Sequence, residues 1–484
     1  MNFKKILQVF VPLLGIEAVF MIPAIIIATF DHDVHVQIAF LKTVIVILIV
    51  AILFWVISRD AKDGFYAREG LVTTGLAWII MSILGCLPFY FAHEIPSFID
   101  ALFETVSGFT TTGSSILINV EEMSRGLLYW RSFTHWLGGM GVLVFLFAIV
   151  PLSGKNEGFT LHILRAESPG PSVGKLVPRM KKTAMILYWL YLALTALDYF
   201  FLRIGGMPWF DSLCTAFGTA GTGGFGIKAD SLASYSPYLQ NVTTVFMFLF
   251  GVNFSCYYLI FIKRIKDVFK DEELRTYLGI IFTSILLITI NIRPLYQTLS
   301  ETIRHAAFQV GTVMSTTGFA TTDFDLWPGF SKGILLVLML GGACAGSTGG
   351  GFKIARIILL VKSLRRNLHE NLHPSEVKKI RMNGHPVDEK VLKNLNGYLI
   401  AYVGIMVISF ILISLDGFSI ETNFTAVVAT MNNIGPGFAG VGATCNYAMY
   451  SAFSKLILIF NMLAGRLELF PMIILFAKST WTRR

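Results

Sequence analysis

The sequence predicts an all-α membrane protein, with two leading transmembrane helices followed by four helix–pore-loop–helix repeats in a pseudo-fourfold arrangement. Three observations support this. Of 484 residues, 54% are hydrophobic and only 14% charged, with a mean hydropathy of +0.66, whereas soluble globular domains run near ~25% charged. Apolar windows long enough to cross ~30 Å of hydrocarbon recur along the whole chain. Between them, a short segment that is small or polar and ends in glycine returns four times.

Taken in order, spans are expected near 9–30, 37–57, 70–92, 130–151, 183–204, 241–262, 276–293, 395–415 and 452–478, with a tenth, 332–361, interrupted. Residues 1–68 hold the two leading helices. The Lys4–Lys5 pair ahead of an apolar run imitates a signal peptide, but the run is too long and no small-residue cleavage site follows cleanly. It therefore reads as the first span. The first repeat is 69–182, the second 183–274, the third 275–394 and the fourth 395–484. Each repeat carries a helix-compatible stretch: "SFIDALFETVSGFTTTGSS", "WFDSLCTAFGTAGTGGFG", "ETIRHAAFQVGTVMSTTGFA" and "SIETNFTAVVATMNNIGPGFA". Aligned, their glycines are Gly113, Gly224, Gly318 and Gly437, at spacings of 111, 94 and 119 residues. Internal repetition at this scale fixes the architecture before any single residue is interpreted.

Charge orients the spans. With the N-terminus inside, Lys4, Lys5 and the segments 58–68, 152–182, 263–275, 362–394 and 478–484 hold 27 of the 39 basic residues, and outside ends and loops hold nine. Lysine and arginine gather on the cytoplasmic side, so both termini are expected in the cytoplasm. The net charge of +9 then reflects topology rather than nucleic-acid binding. Five scattered cysteines without a C-x-x-C pair point to neither a disulfide framework nor a zinc or redox site. Nine histidines show no metal-ligand spacing, and no nucleophile or base cluster suggests an enzyme.

A half-helix of roughly 12 residues covers ~18 Å and cannot span. Irregular backbone at membrane depth survives only if protein buries it or it lines water. Four such segments meeting on one axis would present backbone carbonyls in place of a cation's water, and glycine's freedom at positive φ lets neighbouring carbonyls share a direction. The half-helices precede the segments, so their partially negative C-termini favour a cation at the centre. The bland alternative is four re-entrant loops that merely pack.

The interrupted span, "LLVLMLGGACAGSTGGGFKIARIILL", places Gly341, Gly342, Gly346, Gly349, Gly350 and Gly351 mid-membrane, which unwinds a helix or permits close helix packing. It is not a phosphate-binding loop, because Phe352 precedes Lys353 and Ile354 follows it. Arg466 lies within the last span, and a buried arginine needs a partner. Glu468, two residues on, points elsewhere on a helix. Arg466 reads as a barrier to cations, a clamp on loop carbonyls, or a snorkelling structural charge. Lys353 belongs to the same region or simply marks the cytoplasmic exit.

These features, with "RSFTHWLGGMGVLV", "GGACAGSTGGGFK" and "NMLAGRLELFP", resemble end to end the TrkH family of bacterial potassium-uptake membrane subunits, within the Trk/Ktr/HKT superfamily. The resemblance implies a potassium filter at Thr111, Thr112 and Gly113, at Thr222, Gly223 and Gly224, at Thr316, Thr317 and Gly318, and at Gly435, Pro436 and Gly437. Glycine at all four aligned places implies potassium preference. No repeat has the full T-V-G-Y-G of potassium channels, so discrimination should be looser. The resemblance also makes 341–351 an intramembrane gating loop beneath the filter that blocks the pore until moved, and favours Arg466 as both barrier and clamp, with Lys353 a lesser member of the gate. It implies an inner-membrane homodimer with a TrkA-like cytosolic nucleotide-binding subunit, no bound cofactor, and K+ as the transported ion. The basic segment 362–394 could dock that subunit or be a solvated topogenic loop. A cation gains ~2.3 kcal/mol per 100 mV of inside-negative potential, enough for channel-like uptake. The alternative is a secondary transporter coupled to sodium or protons.

Overall fold

The computed structural model describes residues 1–61, 66–139, 141, 180–376 and 378–482. Regular structure is almost entirely helical; among the described residues the strands are the two-residue pair Arg381–Met382 and His385–Pro386. Six helices are long and apolar enough to cross a membrane: Phe3–Phe30, Val34–Ser58, Arg68–Phe91, Met185–Ile204, Glu272–Leu295 and Glu389–Asp416. Their outward faces are greasy. On the second helix, Ile45, Ile49, Ile52 and Val56 are all exposed at helical spacing, a stripe that only lipid would cover at no cost.

Between the spans stand four shorter helices, Phe98–Phe109, Trp209–Gly221, Leu299–Met314 and Ile420–Met431. Their starts are fixed by local chemistry. Ser97, Thr298 and Ser419 accept hydrogen bonds from the backbone N–H groups of Asp100, Glu301 and Thr422, while Pro208 precedes the second. Such caps satisfy donors that the helix itself cannot. The short helices are buried among aromatic rings: Phe109 meets Trp130 edge-on at 6.2 Å, and Phe133 meets Phe217 at 5.3 Å.

The helices after the glycine-ended segments differ from expectation. The span expected at 241–262 is two helices, Pro237–Phe250 and Phe254–Phe261, bent by 89°. Gly251 and Val252 interrupt it, and the Asn253 side chain caps the next helix by accepting from Ser255 N–H. The span expected at 452–478 likewise stops at Arg466 and resumes at Phe470, with Glu468 and Leu469 both at positive φ. The interrupted span 332–361 is a helix to Gly341, irregular backbone, and a helix from Ile354 to Leu372. A helix Arg125–Gly139 starts the span expected at 130–151; residues 140 and 142–179 lie outside the described residues. Breaks therefore follow the glycine-ended segment in the second, third and fourth repeats, where hydropathy alone marked only the third.

Candidate functional site

Each short helix ends in the same way. Thr111, Thr222, Thr316 and Asn433 take left-handed backbone, with φ of 54°, 55°, 60° and 54°. The N–H of each donates to the carbonyl three residues back. The next N–H, of Thr112, Gly223, Thr317 and Ile434, donates to the carbonyl five back, at 2.8, 2.8, 2.8 and 2.9 Å. This pair of bonds is a Schellman termination, which ordinarily uses glycine at the left-handed position. Threonine there is strained by about 1–2 kcal/mol, and strain of this kind concentrates at functional positions.

Two residues further on, Gly113, Gly224, Gly318 and Gly435 are again at positive φ, 81°, 72°, 91° and 96°. A Cβ on Gly113 would lie 2.1 Å from the Gly223 carbonyl oxygen, one on Gly224 2.1 Å from that of Thr317, one on Gly318 2.2 Å from that of Ile434, and one on Gly435 2.7 Å from that of Thr112. The four contacts run from first segment to second, third, fourth and back to first. All four glycines line one cavity of about 160 Å³.

The fourth segment corrects the expected register. Gly437 does not occupy the place of Gly113; Gly435 does, preceded by Asn433 and Ile434. Gly437 lies outside the positive-φ set and its N–H donates to the Val441 carbonyl at 2.7 Å. Pro436 and Gly437 thus continue beyond the ring, although Pro436 still lines the cavity. Asparagine suits the left-handed position because its short polar side chain tolerates it. A direct comparison follows. Gly435→Ala should disturb ion discrimination far more than Gly437→Ala, whose Cβ meets side-chain atoms of Thr425 and Val441 rather than backbone. Permeability ratios for the two variants would decide, and a stronger effect at Gly437 would restore the original register.

Side chains hold the segments from behind. Thr110 and Thr112 share a hydroxyl hydrogen bond of 2.8 Å, and Ser315 and Thr317 one of 2.6 Å. Asn433 Nδ2 donates to Thr112 Oγ1 and to the Met462 carbonyl, both at 2.9 Å, tying fourth segment to first. A pair that sequence reasoning left unconnected does more. Glu104, inside the first short helix, meets Arg131 at 2.6 Å, both fully enclosed. Glu104 also accepts from Ile116 N–H at 2.9 Å and Ser115 Oγ, while Arg131 donates to the Gly226 carbonyl at 2.9 Å. The Arg131 guanidinium lies 3.5 Å above the Phe225 ring. One ion pair thereby holds the exits of the first and second segments together. The signal available beforehand was Glu104 itself, an acid within an apolar pore helix.

The irregular backbone between Gly341 and Ile354 presses on the ring's other side. Gly350 N–H donates to Thr316 Oγ1 at 2.6 Å. A Cβ on Gly349 would lie 2.8 Å from the Ser315 carbonyl oxygen, and one on Gly350 2.6 Å from that of Asn432. Gly342, Gly346 and Gly351 hold positive φ, and Gly341 ends the preceding helix. Arg466 donates to the Thr348 carbonyl at 2.8 Å and to the Gly138 carbonyl at 2.6 Å. Lys353, itself left-handed, reaches back to the Gly349 carbonyl. Glu468 pairs with Arg356. The break in the second repeat grips the loop as well: Cys344 N–H donates to Gly251, Phe254 N–H to the Gly346 carbonyl at 3.0 Å, and Thr348 Oγ1 to the Phe250 carbonyl at 3.2 Å. Among the described residues no group of three His, Cys, Asp or Glu is arranged to hold a metal ion.

The sequence profile of the TrkH family, described as a cation transport protein, matches residues 35–482. The chain is similar to the Trk system potassium uptake protein TrkH of Salmonella typhimurium, 35% identical over 450 residues covering 92% of each chain. It is similar to the Trk system potassium uptake protein TrkG of Escherichia coli, 30% identical over 474 residues and 95% of each chain. The crystal structure of the potassium transporter TrkH from Vibrio parahaemolyticus superposes with a TM-score of 0.89 at 30% identity, over 100% of both chains. These relatives are named as transport proteins, not enzymes.

Proposed function

The chain belongs to the TrkH family of cation transport proteins, and on that premise we propose that it takes up potassium through a carbonyl filter. The filter is formed by Thr111–Gly113, Thr222–Gly224, Thr316–Gly318 and Asn433–Gly435. The single observation that carries this reading is the closed sequence of backbone contacts joining Gly113, Gly224, Gly318 and Gly435. Four helix C-termini end at that ring, and their partial negative charge favours a dehydrated cation there. K+ is cargo and not a resident cofactor. Uptake runs down the electrochemical gradient in an inner membrane with both termini cytoplasmic.

The loop 342–353 is the gate in this reading, with Arg466 holding the Thr348 carbonyl and adding a positive charge beneath the ring. A TrkA-like cytosolic subunit releases it, and two copies of this chain form the membrane unit; the basic segment 362–394 supports such a contact. Removing the clamp should raise basal flux without the partner. Rubidium uptake into liposomes, measured for wild type, Arg466→Ala, a loop shortened by several glycines, and the double variant, tests this. Both single changes should increase uptake, and the double should not exceed them additively, because one contact is shared. Equal uptake by all four folded proteins would leave the loop a packing feature.

One observation supports the coupled alternative. Glu17, in the first span, is buried, and among the described residues neither of its carboxyl oxygens finds a hydrogen-bond partner. Ionisable groups at membrane depth mark proton relays in coupled transporters.

A further inference from the structure

The proposed gating loop is fastened by one buried carboxylate. Glu273, buried in the first turn of the helix Glu272–Ile292, accepts through the same Oε1 from Ala345 N–H at 2.6 Å and Ala355 N–H at 3.0 Å. Ala345 belongs to the irregular backbone, and Ala355 to the first turn of the exit helix Ile354–Leu372. One oxygen thus joins the loop to the helix that leaves it. A carboxylate at a helix N-terminus is also favoured by the helix dipole.

The two residues before Glu273 are held by a different element. The strands Arg381–Met382 and His385–Pro386 are joined by Asn383 and Gly384, with φ of 50° and 78°, the two-residue turn that matches strand twist. Asn383 Nδ2 donates to Asp271 at 2.8 Å, its backbone N–H donates to Glu272 at 3.1 Å, and its Oδ1 accepts from Glu272 N–H at 2.8 Å. Lys362 of the exit helix pairs with Glu272 and donates to the Arg381 carbonyl. On the inner side of this hairpin Met382 is buried; Arg381, Gly384, His385 and Pro386 are exposed.

We propose that Glu273 is the latch of the loop and that the hairpin Arg381–Pro386 is the lever that holds that latch in place, an inference that rests on the gating role proposed above. Asp271, Glu272 and Glu273 are consecutive at a helix start, so the hairpin cannot shift without moving the carboxylate. Displacing that carboxylate deprives two buried amides of their acceptor at once. Ala345 and Ala355 lie on either side of the glycines that press on Ser315, Thr316 and Asn432, so their release frees the obstruction from both ends. Coupling travels here through contiguous hydrogen bonds between packed elements, none longer than 3.1 Å.

The test is rubidium uptake by full-length purified protein in liposomes without any partner, together with the potassium-to-sodium permeability ratio. Glu273→Ala should raise basal uptake about tenfold, because two amides lose their acceptor, with the ratio unchanged. Glu273→Gln keeps an acceptor oxygen and should stay near wild type. Asn383→Gly preserves the left-handed turn and removes only the side-chain grip, so it should raise uptake by a smaller factor. The double variant Glu273→Ala with Asn383→Gly should not exceed Glu273→Ala alone. Wild-type uptake by folded Glu273→Ala, or multiplicative effects in the double variant, would overturn the proposal. If the shortened loop raises uptake while Glu273→Ala does not, the gate stands and the latch is wrong. If the shortened loop itself changes nothing, the gate fails and the latch falls with it.

Discussion

Serine at Gly113 is expected to cut potassium discrimination over sodium by at least about tenfold, one decade for every 1.4 kcal/mol of differential binding lost. Gly113 sits at φ 81°, where an L side chain is strained by about 1–2 kcal/mol. Its Cβ would fall 2.1 Å from the Gly223 carbonyl oxygen, and backbone cannot swing aside as a flexible side chain can. First and second segments must therefore separate, and the carbonyl ring widens at that point. A wider ring strips water less completely from a cation and favours none by size. Permeability ratios in liposomes give the answer. An unchanged ratio in a folded Gly113→Ser protein would remove Gly113 from the filter.

The second large effect is expected at Arg131. Arg131→Ala leaves Glu104 buried and uncompensated, which costs on the order of 3–5 kcal/mol. It also removes the donor to the Gly226 carbonyl and the cation above Phe225. Thermal midpoint and selectivity should both fall. The paired variant Glu104→Gln with Arg131→Met separates the two causes. Without a stranded charge its midpoint should recover, while selectivity stays impaired because the exits of the first and second segments are no longer tied together. Wild-type melting and selectivity in Arg131→Ala would show that the pair holds nothing in place.

Much of this architecture was legible in the sequence because it rests on local pattern. The helices crossing at Val34–Ser58 and Glu389–Asp416 declare themselves by apolar length, and the positive-φ glycines Gly113, Gly224 and Gly318 by the small or polar triplets they end. The fourth did not, since "NNIGPG" offers two glycines two residues apart. Only backbone geometry distinguishes them: Gly435 adopts positive φ and Gly437 does not. The breaks at Gly251–Asn253 and Leu467–Leu469 were invisible for a different reason. Each interrupts only about three residues, too few to lower an 18-residue hydropathy window, unlike the glycine run after Gly341. Long-range ion pairs were beyond reach altogether. Glu104 with Arg131, Asp100 with Lys455, and Arg356 with Glu468 join positions that no local period relates. The helical spacing that set Glu468 apart from Arg466 does not apply, because the helix ends at Arg466 and Glu468 takes positive φ; Glu468 pairs with Arg356, and Arg466 donates to the Thr348 carbonyl.

The central claim is that the four glycine-ended segments form a potassium filter that ions cross passively. The most direct measurement is the reversal potential of purified protein in liposomes with potassium on one side and sodium on the other, repeated with proton and sodium gradients imposed. The account predicts a potential set by the potassium gradient and indifferent to the other two. A potential that moves with the proton or sodium gradient at fixed potassium would contradict it, and would direct attention to Glu17 and coupled transport instead.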